Sequence, residues 1–544
     1  MPAAPSSAPT RSRPTAAALH RGLVVAVLGF ASGLPLALTG QALQVWLSVS
    51  GLDVATIGFL SLVGLPYTFK FLWAPLMDRF EPAVGLLGRR RGWLVITQLA
   101  LAGGLVAMAA VTPNGPPGAL QAFALLAVAV AFVSASHDVV IDAYRTDLLP
   151  PAERGLGSSL NVAGYRAAMV VSGGLAMIWT DPVQGGGLTW PQVYRWMALA
   201  MAVAAGLSLL LLPKLPVLAP RAGDAGAGAP AVAGRQDVLG FLAVLAAVAV
   251  GYVATQQVFT PAAGAVLGPW LATGSLPAPL QARWIDLAAL LLGLGFTLPL
   301  AAWTARAARF DTLLGGLRAY FSQPGAGLFL LFIVLYKLGD AFAIALVTPF
   351  LLKAMAFSSA EVGVVNKVLG LWLTIAGALA GGVLMLRLGL WRALMLFGVL
   401  QMVSNLGYWW LAAYGKGTLG AVLLPAFDWG FVALKQATPV DGSLLAVIAV
   451  DNIAGGMGTA AFLAFLMGLT QQRFTATQFA MLSAFASVGR VWVGPLAGVL
   501  AESIGWPAFF IVSTVVALPA LAMLWWLRAT VQRLEVTASA PLDD

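Results

Sequence analysis

Charged side chains occur where the rest of the chain is apolar enough to cross a membrane. A charge at the centre of a bilayer costs at least ~2.5–3.5 kcal/mol, so such residues must face protein or water instead of lipid. Proton relays and substrate sites in membrane proteins are built from groups of this kind. The sequence therefore predicts a polar cavity in the protein interior, and the residues concerned are Lys70, Asp138, Asp142, Arg166, Lys337, Asp340, Lys367, Asp451 and Arg490.

The composition identifies the elements that carry these residues. Of 544 residues, 60% are hydrophobic and 9% are charged, and the mean hydropathy is +0.89. A soluble domain carries about 25% charged residues. The chain is therefore predicted to be an all-α, polytopic membrane protein.

The composition also argues against several classes of function. The net charge of +9 comes mostly from basic residues in short loops, which is typical of a topology signal and not of nucleic-acid binding. Without cysteine the chain has neither disulfides nor thiol chemistry. Its two histidines, His20 and His137, argue against a structural zinc site. We expect no cofactor, with protons as the coupling ion.

Apolar runs of about 20 residues predict fourteen transmembrane spans in groups of six, two and six. The spans lie near 22–48, 54–78, 92–112, 119–147, 156–180 and 192–213, then 239–260 and 284–306, then 327–354, 360–386, 391–413, 442–470, 475–500 and 506–528. The predicted organisation is a disordered cytoplasmic tail (1–21), an N-terminal six-helix bundle (22–213), a linker with an extra transmembrane hairpin (214–326), a C-terminal six-helix bundle (327–530) and a second cytoplasmic tail (531–544). Two similar halves are typical of transporters with an internal duplication.

Lysine and arginine positions predict the orientation. If the N-terminus is cytoplasmic and the spans alternate, the outer segments receive essentially Arg283, Lys416 and Lys435. Nearly all other loop lysines and arginines then lie on the cytoplasmic side, as the positive-inside rule requires. Both termini are therefore predicted to be cytoplasmic.

The connection between the second and third spans contains an acid–base pair followed by a Gly-Arg-Arg turn. This pattern resembles the cytoplasmic loop motif of the major facilitator superfamily, with a looser spacing. The alternative is a plain positive-inside loop. The residues predicted to form the loop and an inner gate are Asp78, Arg79, Arg89, Arg90, Arg145 and Asp147.

Asp138 and Asp142 lie four residues apart in the fourth span and therefore share one helix face. Two carboxylates brought together in a low dielectric favour binding of a proton, which suits a proton-coupled carrier. The alternative is that Asp142 and Asp147 brace the inner gate beside Arg145 and Arg154.

The seventh and eighth core spans carry further polar residues. Lys337 and Asp340 lie three apart and could pair within one helix. Asn366 and Lys367 lie about two turns from the outer end of the next span, where Lys367 could meet an anionic substrate. The alternatives are a structural pair for the first two residues and a lysine that snorkels to the interface for Lys367.

Asp451 and Asn452 begin a glycine-rich stretch in the tenth core span. Small residues there permit either local unwinding or close helix packing, and the two interpretations are equally supported. Asp340 and Asp451 join Asp138 and Asp142 as predicted proton sites. The predicted substrate contacts are Gln44, Trp46, Lys70, Arg166, Lys337, Asn366, Lys367 and Asn452.

The chain resembles the AmpG-type muropeptide permeases of the major facilitator superfamily. The matching stretches are LGFASGLPLALT (28–39), TIGF (56–59), FKFLWAPLMDR (69–79), DAYRTD (142–147), YKLGDAF (336–342), EVGVVNK (361–367), GGMGT (455–459) and ATQFAMLSA (476–484). The chain departs from the expected pattern at the hairpin 239–306 and at Asp451, where a longer acid is expected.

The resemblance implies a function and a fold. Such permeases import GlcNAc-1,6-anhydro-MurNAc peptides from the periplasm for peptidoglycan recycling, which feeds the induction of β-lactamase. Their transport depends on the proton-motive force and on alternating access of two six-helix bundles. A monomer that binds a large, polar, anionic ligand is expected.

Two other classes of function compete with this interpretation. A carrier of another bulky anion, such as an acetyl-CoA-type transporter, would use the same fold with arginines for the phosphates. A membrane enzyme or flippase is disfavoured, because the sequence contains no HExxH motif, no cysteine nucleophile and no Walker A loop.

Overall fold

The computed structural model describes most of the chain. The described residues are 16–74, 77, 87–149, 154–183, 187–213, 231–274, 276–310, 314, 321–322, 325–428, 433–469 and 475–532. Asp78 and Arg79 of the predicted loop motif lie outside them, and so do the side chains of Lys367 and Arg490.

Helices account for almost all the regular structure. The N half (16–213) contains α1 (Ala16–Leu38), α2 (Gln41–Val49), α3 (Val54–Leu60), α4 (Leu65–Phe69), α5 (Arg89–Ala110), α6 (Ala119–Leu148), α7 (Arg154–Met169), α8 (Ala176–Thr180) and α9 (Trp190–Leu211). The hairpin contains α10 (Ala231–Ala254), α11 (Thr260–Ala272) and α12 (Ala278–Ala307). The C half (326–532) contains α13 (Ala326–Pro349), α14 (Ser359–Val362), α15 (Gly370–Leu388), α16 (Leu390–Tyr414), α17 (Gly442–Gly468), α18 (Thr475–Ile504), α19 (Trp506–Val516) and α20 (Leu518–Trp526).

Within the described residues, four π-helical segments adjoin α-helices, and three of them make neighbouring helices continuous. They are Val170–Leu175 between α7 and α8, Thr255–Phe259 between α10 and α11, Phe350–Ala354 after α13, and Gly363–Leu369 between α14 and α15. Each adds a local distortion inside a membrane helix, and such distortions are common at functional sites.

The helices confirm the predicted class of an all-α, polytopic membrane protein. In the described ranges, twelve helices are long and apolar enough to cross a membrane. The predicted spans near 54–78 and 475–500 correspond to shorter apolar helices, Val54–Phe69 and Trp492–Ile504. The total of fourteen spans stays a prediction.

Three boundaries differ from the prediction. α1 begins at Ala16, so residues 16–21 are helical and do not belong to a disordered tail, because the alanine-rich segment has high helix propensity. The first hairpin helix begins at Ala231, inside the predicted linker, and continues to Ala272. The loop after α16 forms four short strands that the apolar pattern did not indicate.

These strands form two small antiparallel pairs. β1 (Ala421–Leu424) pairs with β4 (Thr438–Asp441) in the register Ala421↔Asp441, and β2 (Phe427–Asp428) pairs with β3 (Ala433–Leu434). Asp441 accepts hydrogen bonds from the backbone N–H groups of Ser443 and Leu444 at 2.8 and 3.0 Å, which connects the strands to the start of α17.

Glycines allow the closest helix approaches within each half. A Cβ at Gly29 of α1 would overlap the carbonyl of Asn161, and one at Gly164 of α7 would overlap that of Ala26. In the C half, a Cβ at Gly456 of α17 would overlap the Thr374 carbonyl. Close backbone approach through small residues is a common means of packing membrane helices.

The apolar cores show where the two halves meet. One buried cluster contains residues of both halves, among them Leu43, Trp46, Phe350 and Phe510. Two further clusters are separate: one lies within the C half around Phe332, and the other joins N-half residues around Tyr144. The halves therefore share a continuous core towards one end of the molecule, which we name the sealed end.

Polar contacts cross between the halves at the sealed end. Gln44 donates to the Ala345 carbonyl at 3.1 Å, and the Ala55 N–H donates to Glu502 Oε1 at 3.0 Å. The Ala360 N–H donates to Asp181 Oδ2 at 3.0 Å, and Lys353 donates to the Leu52 carbonyl. These bonds and the shared core close the molecule at this end.

The seam between α3 and α18 consists largely of backbone. A Cβ at Gly58 would overlap the Gly494 carbonyl, and one at Gly498 would lie 2.9 Å from Ala55 Cα. Backbone contacts therefore bring the two halves close here, beside side-chain contacts such as that of Ser61 with Gly494.

The glycine packing between α15 and α17 can be tested with adjacent residues. Gly456→Ala should destabilise the protein by about 1–3 kcal/mol, because the added Cβ overlaps the Thr374 carbonyl and lies 2.8 Å from Ala378 N. Gly455→Ala is the matched control, since a Cβ there meets no atom within 4 Å. Thermal unfolding in detergent measures both, and equal melting temperatures would contradict the close approach.

Candidate functional site

Asp138 forms the centre of a polar cluster in the N half. Ser32 Oγ of α1 donates to Asp138 Oδ1 at 2.5 Å. Lys70, which follows α4, lies close enough to act electrostatically on Asp138, and so does Asp142. Three elements thus bring a carboxylate, a cation and a hydroxyl together inside the half, as the cost of an isolated charge requires.

Asp142 lies in a different environment from Asp138. Its side chain is 58% exposed, and its Oδ1 forms an ion pair with Arg145 Nη2 at 3.2 Å. The prediction that both carboxylates occupy one protected site is therefore wrong: the shared helix face runs from the interior at Asp138 to the exposed end of α6. The alternative role, bracing near the helix end beside Arg145, agrees with this position.

Asp451 forms the corresponding cluster in the C half. It accepts hydrogen bonds from Ser404 Oγ at 3.1 Å and from Tyr408 OH at 2.8 Å, both on α16. Asp340 of α13 lies close enough to act electrostatically on Asp451. Two carboxylates on different helices therefore share one partly enclosed site, with two hydroxyl donors beside them.

Lys337 lies on α13 three residues before Asp340, and its side chain contacts α17. Its ammonium group lies 3.4 Å from Thr459 Oγ1 and 5.2 Å from the centre of the Phe462 ring, and the residue is buried. A cation over an aromatic face is stabilised by the ring quadrupole. These contacts connect Lys337 to α17, in addition to any interaction within its own helix.

Ser404 and Tyr408 were not predicted as site residues. They lie four residues apart in an otherwise apolar span, and Gln401, three residues before Ser404, extends the same face. Gln401 and Ser404 are buried. A polar face within an apolar span was the available signal. Ser32 had no comparable signal, because serine is common at membrane helix contacts.

Two residues predicted to contact substrate, Trp46 and Gln44, contact other residues of the protein. Trp46 is 3% exposed and packs with Phe123, Trp190 and Tyr194 at ring-centre distances of 5.0, 6.4 and 4.8 Å. Gln44 contacts the Ala345 carbonyl across the seam, as described above. These contacts correct the prediction that Gln44 and Trp46 line the cavity.

Asn452 also serves helix packing. Its Oδ1 accepts a hydrogen bond from Thr374 at 2.9 Å, and its Nδ2 donates to the Ile448 carbonyl at 2.8 Å. Among the two interpretations of the glycine-rich stretch, the structure supports close packing, because α17 continues as a helix through it.

The remaining predicted contacts are partly exposed. Arg166 lies near the end of α7, and Asn366 lies in the π-helical segment Gly363–Leu369. Along the chain Arg166 comes before the sealed-end residue Asp181, whereas Asn366 comes after the sealed-end contact of Ala360.

The predicted gate residues that the structure describes lie at the end opposite the sealed end. Arg90 Nε, in the first turn of α5, pairs with Asp147 Oδ2 at 3.2 Å, near the last turn of α6. Arg91 donates to the Leu209 carbonyl of α9, and Tyr144 OH donates to the Pro213 carbonyl at 3.0 Å. Arg89 is the first residue of α5 and is partly buried. These contacts hold three N-half helices together at this end.

A cavity of about 440 Å³ opens at the sealed end between the halves. Its lining includes Ser48, Asp181, Lys353 and Phe357. Among the predicted charges whose side chains the structure describes, none lines it, so this cavity differs from the predicted one.

Comparisons with known proteins agree with this architecture. The profile of the acetyl-coenzyme A transporter 1 family matches residues 22–115. The chain is 40% identical over 512 residues to the anhydromuropeptide permease of Escherichia coli strain K12, covering 94% of this chain and 80% of the relative. It is 24% identical to the putative transporter AmpG 4 of Rickettsia conorii, covering 94% and 97%.

A solved structure has the same fold. A bacterial homologue of the human lysosomal transporter Spinster, in an inward-facing and unoccupied conformation, superposes with a TM-score of 0.57 at 13% identity, covering 96% of this chain and 98% of that one. The fold is thus that of major facilitator transporters, and the identity to the Escherichia coli permease extends over nearly the whole chain. The chain belongs to the AmpG-type family of anhydromuropeptide permeases.

Proposed function

We propose that the chain imports GlcNAc-1,6-anhydro-MurNAc peptides across the bacterial inner membrane, driven by the proton-motive force. The identity of 40% to a protein named anhydromuropeptide permease supports the substrate class. The imported product would serve peptidoglycan recycling and the induction of β-lactamase.

One observation carries the proton-coupling part of the proposal. Each half holds a carboxylate within its fourth core span, Asp138 or Asp451, and each carboxylate accepts hydrogen bonds from hydroxyl groups of neighbouring helices. Asp340 lies near Asp451, and a shared proton removes the repulsion between two enclosed carboxylates. Inward movement of one proton releases ~2.3 kcal/mol per 100 mV, which is enough to concentrate a solute tens-fold.

Basic groups suit the anionic part of the ligand. Lys70 lies in the cluster around Asp138, Lys337 lies on α13 three residues before Asp340, and Arg166 lies on α7. A stem peptide carries several carboxylates, and bonds between such groups and cations are about twice as strong as neutral hydrogen bonds. Lys367 is assigned to the same role from its sequence position.

The closed end supports alternating access. The positive-inside rule assigns the end that carries Arg89, Arg90 and Arg91 to the cytoplasm, so the sealed end faces the periplasm. The conformation then corresponds to an inward-facing carrier with cytoplasmic termini. Import requires that the contacts between the halves at the sealed end break and form again in each cycle.

A carrier of acetyl-coenzyme A is the second candidate, favoured by the family profile that matches residues 22–115. The two ligands differ in their anionic groups, phosphates in one and carboxylates in the other. Competition between unlabelled acetyl-coenzyme A and labelled muropeptide distinguishes the candidates.

The proton role can be tested in proteoliposomes with labelled anhydro-muropeptide under an imposed pH gradient. Asp451→Asn and Asp138→Asn should each lower accumulation at least about tenfold, because the neutral amide removes the proton-binding carboxylate. Exchange of labelled for unlabelled ligand without a gradient should continue, since it requires no net proton movement.

Asp428→Asn, in the exposed loop after α16, is the matched control and should leave accumulation unchanged. Gradient-driven accumulation in both cluster variants at the level of the control would remove these carboxylates from the coupling mechanism. Absence of muropeptide uptake by the unsubstituted protein, with uptake of acetyl-coenzyme A, would favour the second candidate.

The Arg90–Asp147 pair predicts a charge-reversal effect. Arg90→Glu should lower the uptake rate by about fivefold, because it places two acids together at the ends of α5 and α6 where an ion pair of ~1 kcal/mol had been. Adding Asp147→Arg should restore most of the rate. Initial uptake rates at matched expression test this, and a double variant as slow as the single one would contradict the direct pairing.

A further inference from the structure

The second hairpin helix, α12, lies across the seam at the sealed end. Adjacent residues of this helix contact opposite halves. Arg283 donates to Asp53 Oδ2 at 3.1 Å and to Thr56 Oγ1 at 2.6 Å in the N half. Trp284 Nε1 donates to Ser503 Oγ at 3.0 Å in the C half.

Apolar contacts bridge the seam at the same place. Leu280 and Leu287 of α12 form one buried cluster with Ala55 of α3 and Val499 of α18. Positions 280, 284 and 287 share one face of the helix, so the apolar residues and the Trp284 indole all face the seam.

The other end of the hairpin packs against the N half. Phe241 of α10 packs on the cluster around Tyr144, and Val244 and Ala305 form a cluster that includes Leu72. In these two clusters every described residue belongs to the N half or the hairpin. The hairpin is therefore attached to the N half at both ends and to the C half at the sealed end.

The hairpin itself is tightly packed. A Cβ at Gly251 of α10 would overlap the Thr297 side chain, and one at Gly293 of α12 would overlap the Thr255 side chain. These reciprocal contacts leave little room for the two helices to slide past each other. The hairpin is therefore expected to move as one body.

The attachment to the N half persists over a wide pH range. Burial raises the pKa of Asp53, but the hydrogen bonds from Thr56 and the charge of Arg283 together lower it by more, so its pKa is below the ordinary value. A carboxyl whose pKa is lower in the folded than in the unfolded protein stabilises the fold at pH values above the unfolded pKa. This contribution is lost only as the pH falls towards the folded-state pKa. The Arg283–Asp53 pair therefore remains charged near neutral pH.

We propose that the hairpin is a strap that moves with the N half and releases the C half whenever the sealed end opens. Trp284 is the positioning residue: its contact with Ser503 stabilises the closed sealed end and must break during each transport cycle. This inference rests on the alternating access of the proposed function, but not on the identity of the substrate.

Cross-linking can test which contact breaks, because the chain contains no cysteine. Trp284→Cys with Ser503→Cys, joined by a short reducible bis-methanethiosulfonate, should lower muropeptide uptake at least about tenfold, and reduction should restore it. The matched control joins Arg283→Cys to Asp53→Cys, which lie within the body that moves together. Each double variant is compared with its own uptake before cross-linking, and the control should stay within about twofold.

Unchanged uptake in the cross-linked 284–503 variant would overturn the proposal, since the contact would then persist throughout the cycle. Equal inhibition by both cross-links would also overturn it, because the hairpin would then move relative to the N half.

A second measurement needs no substrate. Thr348→Cys places a thiol at a buried site on α13, three residues beyond the Gln44 contact at Ala345 within the sealed end. Adding Trp284→Ala should raise its labelling rate by a membrane-impermeant maleimide in intact cells by about fivefold, the population change expected when one hydrogen bond of the closed state is lost.

Trp303→Ala, on the same helix but 64% exposed, is the matched control and should leave the labelling rate unchanged. Equal rates in the two variants would contradict the strap. The protein could fail to transport muropeptide while Trp284→Ala still increases the labelling rate. That result would support the strap and refute only the substrate assignment.

Discussion

The constraint on which this structure depends is that lipid offers no partner to a polar group. Each carboxylate within the spans therefore requires donors from other helices, as Ser32 provides for Asp138 and as Ser404 and Tyr408 provide for Asp451. These donors join α1 to α6 and α16 to α17. The carboxylates proposed to bind a proton thus also hold neighbouring helices together.

The contacts within each half differ from the contacts between the halves. Helices within a half approach through glycines, as at Gly164 and Gly456. Contacts between the halves are concentrated at the sealed end, where the shared apolar core also lies. The hairpin adds a third element, packed on the N half at both of its ends and on the C half at the sealed end.

The sequence predicted the apolar elements well, because membrane helices are encoded by local composition that does not depend on tertiary contacts. The positions of the acids and lysines within helices followed in the same way. What could not be predicted was the partner of each side chain. Helical period gives the face on which Asn452 and Trp46 lie, but only the packed structure shows that Thr374 and an aromatic cluster occupy those faces. Asp142 was misplaced for a similar reason, since a shared face does not specify depth.

The backbone contact of Gly58 with Gly494 has a kinetic consequence for the seam. Interdigitated side chains must change rotamers before two surfaces can part, and each such change adds to the activation barrier. Where backbone lies directly against backbone, as at Gly58 and Gly494, no rotamer change is needed at that contact. In the proposed alternating access, this contact would therefore add less to the barrier for separation than the side-chain contacts around it.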